Sequence, residues 1–212
     1  MEKRLIILFG APGCGKGFLG ECIKSKLHEL GKDNISYIST GDLLRAEIKA
    51  QTTLGKQIEE IVSSGKLVSD EIVSELVYNA LYQDSEIKIL DGYPRTTSQF
   101  WDICETLEIL PHEVISVKRD TPIELIKERV SKRRVCKDCK ATHSVDDGCC
   151  PKCGGKSEVR KDDAVIDNRL AEYHRETEAL WEDITAISKA SLTVDGRKDA
   201  FEVAEDFVKI LV

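Results

Sequence analysis

The sequence predicts an α/β protein built on a three-layer parallel sheet of five strands, and three observations carry that reading. Five short apolar runs, at residues 5–9, 35–38, 87–90, 114–117 and 192–194, alternate with longer segments of helical periodicity, the order of a parallel sheet covered on both faces. The first run leads directly into Gly10-Ala-Pro-Gly-Cys-Gly-Lys-Gly17, and a helical pattern begins there. No internal repeat or low-complexity linker interrupts the alternation, and only two stretches, residues 39–68 and 131–163, read as insertions. A chain of 212 residues is long enough for one well-buried core plus small insertions of this kind.

The glycine-rich stretch has the spacing glycine, four residues, glycine, lysine. Glycines there let backbone N–H groups point at phosphate oxygens, the lysine adds a mobile positive charge, and the following helix adds the partial charge of its N-terminus. An ordinary tight turn is the plainer alternative; a strand before it, a helix after it and Lys16 in register favour phosphate. Position 17, where most phosphate loops carry a magnesium-binding Ser or Thr, is Gly17, and Phe18 follows, so the loop offers no hydroxyl to a metal.

Composition narrows the function classes. A net charge of -7 argues against a general nucleic-acid binder, which usually shows a basic excess. No run approaches the roughly 18 apolar residues of a membrane span. The opening Met1-Glu-Lys-Arg4 leads straight into the first strand with no secretory cleavage pattern, so a cytoplasmic protein is expected.

Taken in order, Leu19, Cys22, Ile23, Leu27 and Leu30 recur at helical spacing and Gly31 supplies a stop, predicting a helix over 16–30. After the second strand comes Ser39-Thr-Gly-Asp-Leu-Leu-Arg45, with Thr40 and Asp42 as capping candidates; on this segment alone Arg45 reads as a solvated charge. Leu54, Ile58, Ile61 and Val62 form an apolar stripe that breaks at Ser63-Ser-Gly65, and Ser69 can cap a further helix. The strand at 87–90 ends on Asp91-Gly-Tyr-Pro-Arg95. An aspartate at the carboxyl end of a parallel strand beside a phosphate loop is where nucleotide magnesium is held, usually through water; the alternative is a helix cap. Gly92 and Pro94 turn the chain, Arg95 stands at the same strand edge, and Gln99 follows one helical turn on. After the fourth strand Pro122 opens a helix that ends in Arg129, Lys132, Arg133 and Arg134, a cluster that by itself reads as a solvated face. Residues 165–187 read as one long helix, residues 192–194 as the last strand closed by Asp195-Gly196, and Phe201, Val203, Phe207, Val208 and Leu211 as the final helix.

Five of the eight cysteines fall within eighteen residues, which favours metal over disulfides. Cys136-Lys-Asp-Cys139 and Cys150-Pro-Lys-Cys153 are two C-x-x-C knuckles ten residues apart. Together they offer four thiolates to one tetrahedral ion with no open position for water, the pattern of a structural zinc that folds an insert too short for its own core. Cys149 can replace Cys150, although the knuckle spacing favours Cys150. Redox chemistry by a single C-x-x-C is the competing idea, and the paired knuckles weigh against it.

Taken together, the loop at 10–17, Ser39-Thr-Gly-Asp-Leu-Leu-Arg45, Gly65-Lys-Leu-Val-Ser-Asp70, Asp91-Gly-Tyr-Pro-Arg95 with Gln99, Arg129 with Arg133-Arg134, Arg160-Lys-Asp-Asp163 and Arg169 closely resemble the adenylate kinase family in its long form, whose lid in some members holds zinc. The resemblance covers essentially the whole chain in one order. It implies a P-loop nucleoside triphosphate hydrolase-like fold, with a core of 1–38, 69–130 and 164–212, an AMP-binding insertion at 39–68 and a zinc-binding lid at 131–163. It also implies a monomer that transfers a phosphoryl group reversibly from MgATP to AMP, giving two ADP, without nucleic acid or membrane as partner.

Position by position, the resemblance implies that Gly13, Cys14, Gly15, Lys16, Gly17 and Phe18 wrap the ATP phosphates. Arg129, Thr142, His143 and Lys198 would contact ATP. Thr40, Arg45, Lys66, Leu67, Val68, Gly92, Tyr93, Pro94, Arg95 and Gln99 would bind AMP. Arg133, Arg160 and Arg169 would close over the phosphates as catalytic cations with Lys16 and Arg95, the last two of the three also touching AMP. Asp91 would hold magnesium through water, and Cys136, Cys139, Cys150 and Cys153 would hold zinc. The chain departs from the family at Phe18, usually Thr or Ser, and at His143, often Tyr. Its inter-knuckle spacing is short, and 163–169 is about two residues short with the usual glutamates missing. A kinase for another nucleoside monophosphate, a nucleotide sensor with little turnover and, less readily, a zinc-directed nucleic-acid module are the alternatives.

Overall fold

A computed structural model describes residues 3–139, 141–144 and 148–211, apart from the side chains of Lys161 and Asp162. Met1 and Glu2 of the N-terminal reading, and those two side chains of the 160–163 stretch, lie outside the described residues.

Five parallel strands form the sheet: β1 (Arg4–Phe9), β2 (Ile35–Ser39), β3 (Ile87–Asp91), β4 (Glu113–Asp120) and β5 (Ala190–Asp195), in the spatial order β2-β3-β1-β4-β5. The three layers follow from the two-residue period of β1. Leu5, Ile7 and Phe9 enter one buried cluster, with Val73, Val77, Phe100, Ile103, Leu180 and Ile184. Ile6 and Leu8 enter the other, with Leu19, Ile23, Leu27, Val203 and Phe207. A strand apolar on both sides must be covered on both, and helices provide the cover. On one face lie α1 (Lys16–Glu29) and a C-terminal helix (Ala200–Leu211). On the other lie α4 (Asp70–Leu81), α5 (Thr97–Ile109) and a helix at Leu180–Ile187.

Between β2 and α4 run α2 (Thr40–Ala50) and α3 (Thr53–Ser63), which pack on each other so closely that a Cβ at Gly55 would meet the Glu47 carbonyl oxygen at 2.2 Å. After α6 (Ile123–Lys132) the chain forms a small antiparallel sheet from Arg134–Cys136, Thr142–His143 and Ser157–Glu158, strands too short to be legible in the sequence.

Three local expectations change. Ser39, not Thr40 or Asp42, caps α2: its extended backbone lets Oγ accept from the Asp42 N–H at 3.3 Å, while the Thr40 hydroxyl donates to the Asp91 carbonyl oxygen. Ser69 stands at the cap position of α4 without a side-chain cap bond. The segment 165–187 is not one helix: α7 (Ile166–Glu172) runs into a π-helical turn at Tyr173–Thr177 before α8 (Leu180–Ile187). Tyr173 packs on Phe9, and the Thr177 hydroxyl donates to the Arg95 carbonyl at 2.8 Å. Those two anchors supply the reason for the wider turn. The C-terminal helix is α9 hereafter.

Candidate active site

The phosphate loop leaves the buried end of β1 and takes positive φ at Gly10 (+139°), Gly13 (+83°) and Gly15 (+93°). Its underside is packed: a Cβ at Gly13 would lie 2.8 Å from methyl groups of both Ile126 and Val130. Gly15 occupies the N-cap of α1, and no acidic residue of the helix itself stands in its first turn. Lys16 Nζ reaches back to donate to the Ala11 carbonyl oxygen at 3.3 Å. Gly17 faces a carboxylate, since an added Cβ would lie 3.2 Å from Asp91 Oδ2.

Register brings Asp91 there: it ends β3 opposite Leu8 of β1 and Ser39 of β2. Its Oδ2 accepts from the Tyr37 hydroxyl at 3.2 Å, and burial together with the Asp91 charge pushes the Tyr37 pKa far up, so the hydroxyl stays a donor. Asp91 is not a helix cap. Thr96 caps α5, accepting from the Gln99 N–H. At this loop an acidic oxygen beside a phosphate site fits a magnesium–nucleotide complex, and with no hydroxyl at position 17 the carboxylate is the protein oxygen on offer.

Beyond Asp91 the chain turns at Gly92 (φ +83°) and at the cis Tyr93-Pro94 bond. Arg95 Nε donates to the Gly92 carbonyl at 2.7 Å, and a Cβ at Gly92 would meet Arg95 Nη2 at 2.8 Å, so glycine is what lets the guanidinium fold back. Gln99 is buried, accepting from the Arg95 backbone N–H at 2.8 Å and donating to Asp70 Oδ1 at 2.7 Å. Tyr93 is buried with its hydroxyl 2.9 Å from Ser74 Oγ, and burial raises its pKa well above the usual tyrosine range.

The remaining predicted cations come from separate elements. Arg45 pairs with Asp42 on α2 at 2.8 Å. Arg129 on α6 donates to the carbonyls of Cys14 (3.2 Å) and Gly196 (2.7 Å), spanning from the phosphate loop to the loop after β5 that carries Lys198. Arg133 grips Asp163 with two nitrogens: Nε donates to Oδ2 at 2.9 Å and Nη2 to Oδ1. Arg160 precedes the 3-10 turn Lys161–Val165. Arg169 lies on α7, and its stem faces Gly65, where an added Cβ would stand 3.4 Å from Arg169 Cγ and 3.0 Å from Asn168 Cβ. Asn168 also donates to the Ser64 carbonyl. This contact sets Arg169 beside the Lys66-Leu67-Val68 stretch, of which Val68 is buried. Phe18 does not point into the protein; it is 55% exposed and packs edge-on against Phe201, with ring centroids 5.6 Å apart.

In the small sheet Cys136, Cys139, Cys150 and Cys153 present sulfur atoms all within 4.8 Å of one another, with Sγ···Sγ 3.5 Å for Cys136–Cys153 and 3.6 Å for Cys139–Cys150. Four thiolates around a tetrahedral zinc at about 2.3 Å stand about 3.8 Å apart, so the set fits a structural zinc ion. Cys150, not Cys149, belongs to the set; Cys149 is exposed and bridges to Lys156 through the backbone. A Cβ at Gly155 would lie 2.1 Å from Asp138 Oδ2 and 3.1 Å from Cys136 Sγ, so the chain passes close to the cluster there. Burial raises the Cys136 thiol, but N–H groups of Cys139 and Asp138 and the neighbouring thiols outweigh it and bring it down to about 7. His143 bonds across the same sheet to Ser157 Oγ at 2.7 Å, and Thr142 beside it is exposed.

Sequence reasoning missed Tyr37, Asp70 and Arg119 at this sheet edge. Position was the usable signal for two of them: Tyr37 lies inside β2 two residues before Ser39, which pairs with Asp91, and Asp70 opens α4; Arg119, one residue before the end of β4, carried none.

Comparison with known proteins identifies relatives over most of the chain. The adenylate kinase family model matches residues 8–188. An adenylate kinase of Caldicellulosiruptor saccharolyticus is 42% identical over 190 residues, 84% of this chain and 85% of that protein. Those of Lachnoclostridium phytofermentans and Caldicellulosiruptor bescii are each 36% identical over 97% of this chain. A family model that matches most of the chain, and relatives 36–42% identical over 84–97% of it, show that the chain belongs to the adenylate kinase family.

Proposed function

We propose how the residues of this chain divide the work of the adenylate kinase reaction, in which a phosphoryl group passes reversibly from ATP to AMP and gives two ADP. The core of 1–38, 69–130 and 164–212 holds the donor, the insertion at 39–68 receives AMP, and the zinc-bearing segment at 131–163 closes as a lid. The observation that carries the reading is the meeting, at one sheet edge, of Lys16, the Asp91 carboxylate and the Arg95 turn.

The N–H groups of residues 13–18 and the N-terminus of α1 bind the donor phosphates, Phe18 through its backbone alone. Lys16 leaves the Ala11 carbonyl for the transferred phosphoryl group. Magnesium, which neutralises charge on the ATP phosphate oxygens, would be held by Asp91 through water, Gly17 having no hydroxyl to give. On the acceptor side Arg45 and Arg95 take the AMP phosphate, Thr40, Gly92, Tyr93 and Pro94 shape the pocket with Lys66, Leu67 and Val68, and Gln99 fixes the Arg95 backbone. An AMP phosphate oxygen forms the new P–O bond as the bond from the bridging oxygen to the γ-phosphorus breaks. No general base is needed, because that oxygen is ionised at neutral pH. Arg133, Arg160 and Arg169 gather the charge that spreads over the equatorial oxygens, and arginines so placed contribute on the order of 10³ to 10⁵ in rate. Arg129, Thr142, His143 and Lys198 line the ATP side. Placing cations on a closing segment keeps water from acting as acceptor. The chain acts as a cytoplasmic monomer; among the described residues no helix is long and apolar enough to cross a membrane.

The test is a coupled assay for ADP from ATP with AMP, CMP, UMP or GMP, run on the wild type and Lys16→Met. Turnover confined to AMP and lost on the order of 10³-fold in the variant is expected. Tight ATP binding by a folded, zinc-loaded protein without ADP formation would overturn it in favour of a sensor.

A further inference from the structure

Arg119, one residue before the end of β4, lies behind the phosphate loop and takes no part in the scheme above. It is 4% exposed. Its Nη2 donates to the carbonyls of Gly196 (3.2 Å) and Lys198 (2.9 Å), holding the loop after β5. Its Nε and Nη1 are buried with no hydrogen-bond partner among the described residues. The guanidinium stands against the N-cap of α1, since a Cβ at Gly15 would lie 3.6 Å from Arg119 Nε and 3.7 Å from Arg129 Nη1. Both arginines donate to the Gly196 carbonyl, and neither hydrogen-bonds a carboxylate among the described residues. Burial, and then the like charge of Arg129, push the Arg119 pKa down; the Asp199 charge acts against this only as a minor contribution.

A buried, incompletely hydrogen-bonded charge is costly to a fold. Arg119 is such a charge, the half-buried Arg129 at the same helix N-terminus repels it, and both are relieved by the same event, the arrival of an anion in the loop. We infer that Arg119 is a positioning residue for the donor: a fixed cation behind the phosphate loop that raises affinity for a polyphosphate chain there, while its Nη2 holds the Gly196–Lys198 backbone against the same ligand. Being buried, it acts through the loop backbone and by its field, not by contact. The inference rests on the loop's being the donor site, and it sets a selectivity: the tri- or diphosphate of the donor gains, and the acceptor monophosphate does not.

The experiment uses the zinc-loaded full chain as wild type, Arg119→Lys, Arg119→Gln and Arg119→Met, each checked for folding by circular dichroism. Inorganic tripolyphosphate, ATP and AMP are titrated calorimetrically, and KM is measured for each nucleotide. The neutral variants should lose about tenfold in tripolyphosphate and ATP affinity, an ordinary coupling between neighbouring sites. KM for ATP should rise in parallel, while AMP affinity and its KM stay within about twofold. Arg119→Lys keeps the charge and should retain donor affinity to within about threefold. The inference is overturned if a neutral variant binds tripolyphosphate as the wild type does, or if lysine fails as badly as glutamine. It is equally overturned if AMP binding falls in step, or if both neutral variants fail to fold, since Arg119 is then a brace and nothing more. Because tripolyphosphate binding requires no turnover, a protein that makes no ADP yet shows the tenfold loss would sink the kinase scheme and leave this inference standing.

Discussion

The Arg133–Asp163 pair separates stability from catalysis in one experiment. Asp163 is 4% exposed in its side chain and Arg133 18%, and the contact uses two nitrogens on two oxygens. Replacing Asp163 by Leu leaves a half-shielded guanidinium without its counter-charge. Breaking such a pair from one side costs roughly 3–5 kcal/mol, whereas replacing both partners by apolar groups is often neutral. The partial exposure of Arg133 puts the single variant at the low end, about 3 kcal/mol, and in a chain of this size each kcal/mol moves the midpoint by about 2–4 °C. Asp163→Leu should therefore melt about 6–12 °C below the wild type. The double variant Arg133→Met/Asp163→Leu should recover most of that loss in thermal denaturation. Its turnover should not recover, because the cation proposed to close over the transferring phosphoryl group is gone; a loss on the order of 10³-fold is expected. A double variant as unstable as the single one refutes the pairing argument. A stable double variant with near-normal ADP formation refutes the role given to Arg133.

Two further outcomes are expected. Cys150→Ser should purify with substoichiometric zinc and lose protection of residues 131–163 against protease, while Cys149→Ser should keep a full equivalent of metal, as measured by atomic emission; equal zinc loss in both would reject the four-cysteine assignment. His112 should make the protein acid-sensitive: burial pushes its pKa below the ordinary 6.5, with a backbone carbonyl opposing and Lys88 adding to the shift. A folded-state pKa below the unfolded value means that stability is complete above pH 6.5 and falls as pH drops through the lower folded value. His112→Gln should flatten the melting temperature over that interval, and an unchanged slope would rule the histidine out.

What could be read from the sequence was whatever lies close together along the chain. The phosphate loop, the Asp91 turn and the two cysteine knuckles each occupy fewer than ten residues, and local backbone chemistry dictates them. The choice of Cys150 over Cys149 became definite only in space, where one sulfur joins the cluster and the other faces outward. Ser39 caps α2 in place of Thr40 or Asp42 because three polar candidates within four residues compete; Thr40 is drawn off by the Asp91 carbonyl across the sheet, a partner 51 positions away. The break in the helix after Arg169 rests on Phe9 and on the Arg95 carbonyl, both distant in sequence. Arg119 was illegible for a different reason: a charge at a strand end reads as solvated, and its burial depends on α1 and the Gly196 loop closing over it.

Several of the site's candidate cations have identified protein oxygens as partners, and the kind of oxygen sorts them. Lys16 donates to Ala11, and Arg129 to Cys14 and Gly196, all neutral carbonyls. Arg133 and Arg45 are held by carboxylates, Asp163 and Asp42. A phosphate oxygen forms a charge-assisted bond roughly twice as strong as a neutral one, so it outcompetes a carbonyl readily and a carboxylate only when geometry is better or the carboxylate can be shared. The carbonyl-held cations are thus ready for the first substrate to arrive. Arg133 is held back, its release set against a buried ion pair, while the Arg45 pair, being exposed, is worth little. Nucleotide binding is then expected to begin at the phosphate loop, and to recruit Arg133 last, when closure has excluded the water that would otherwise accept the phosphoryl group.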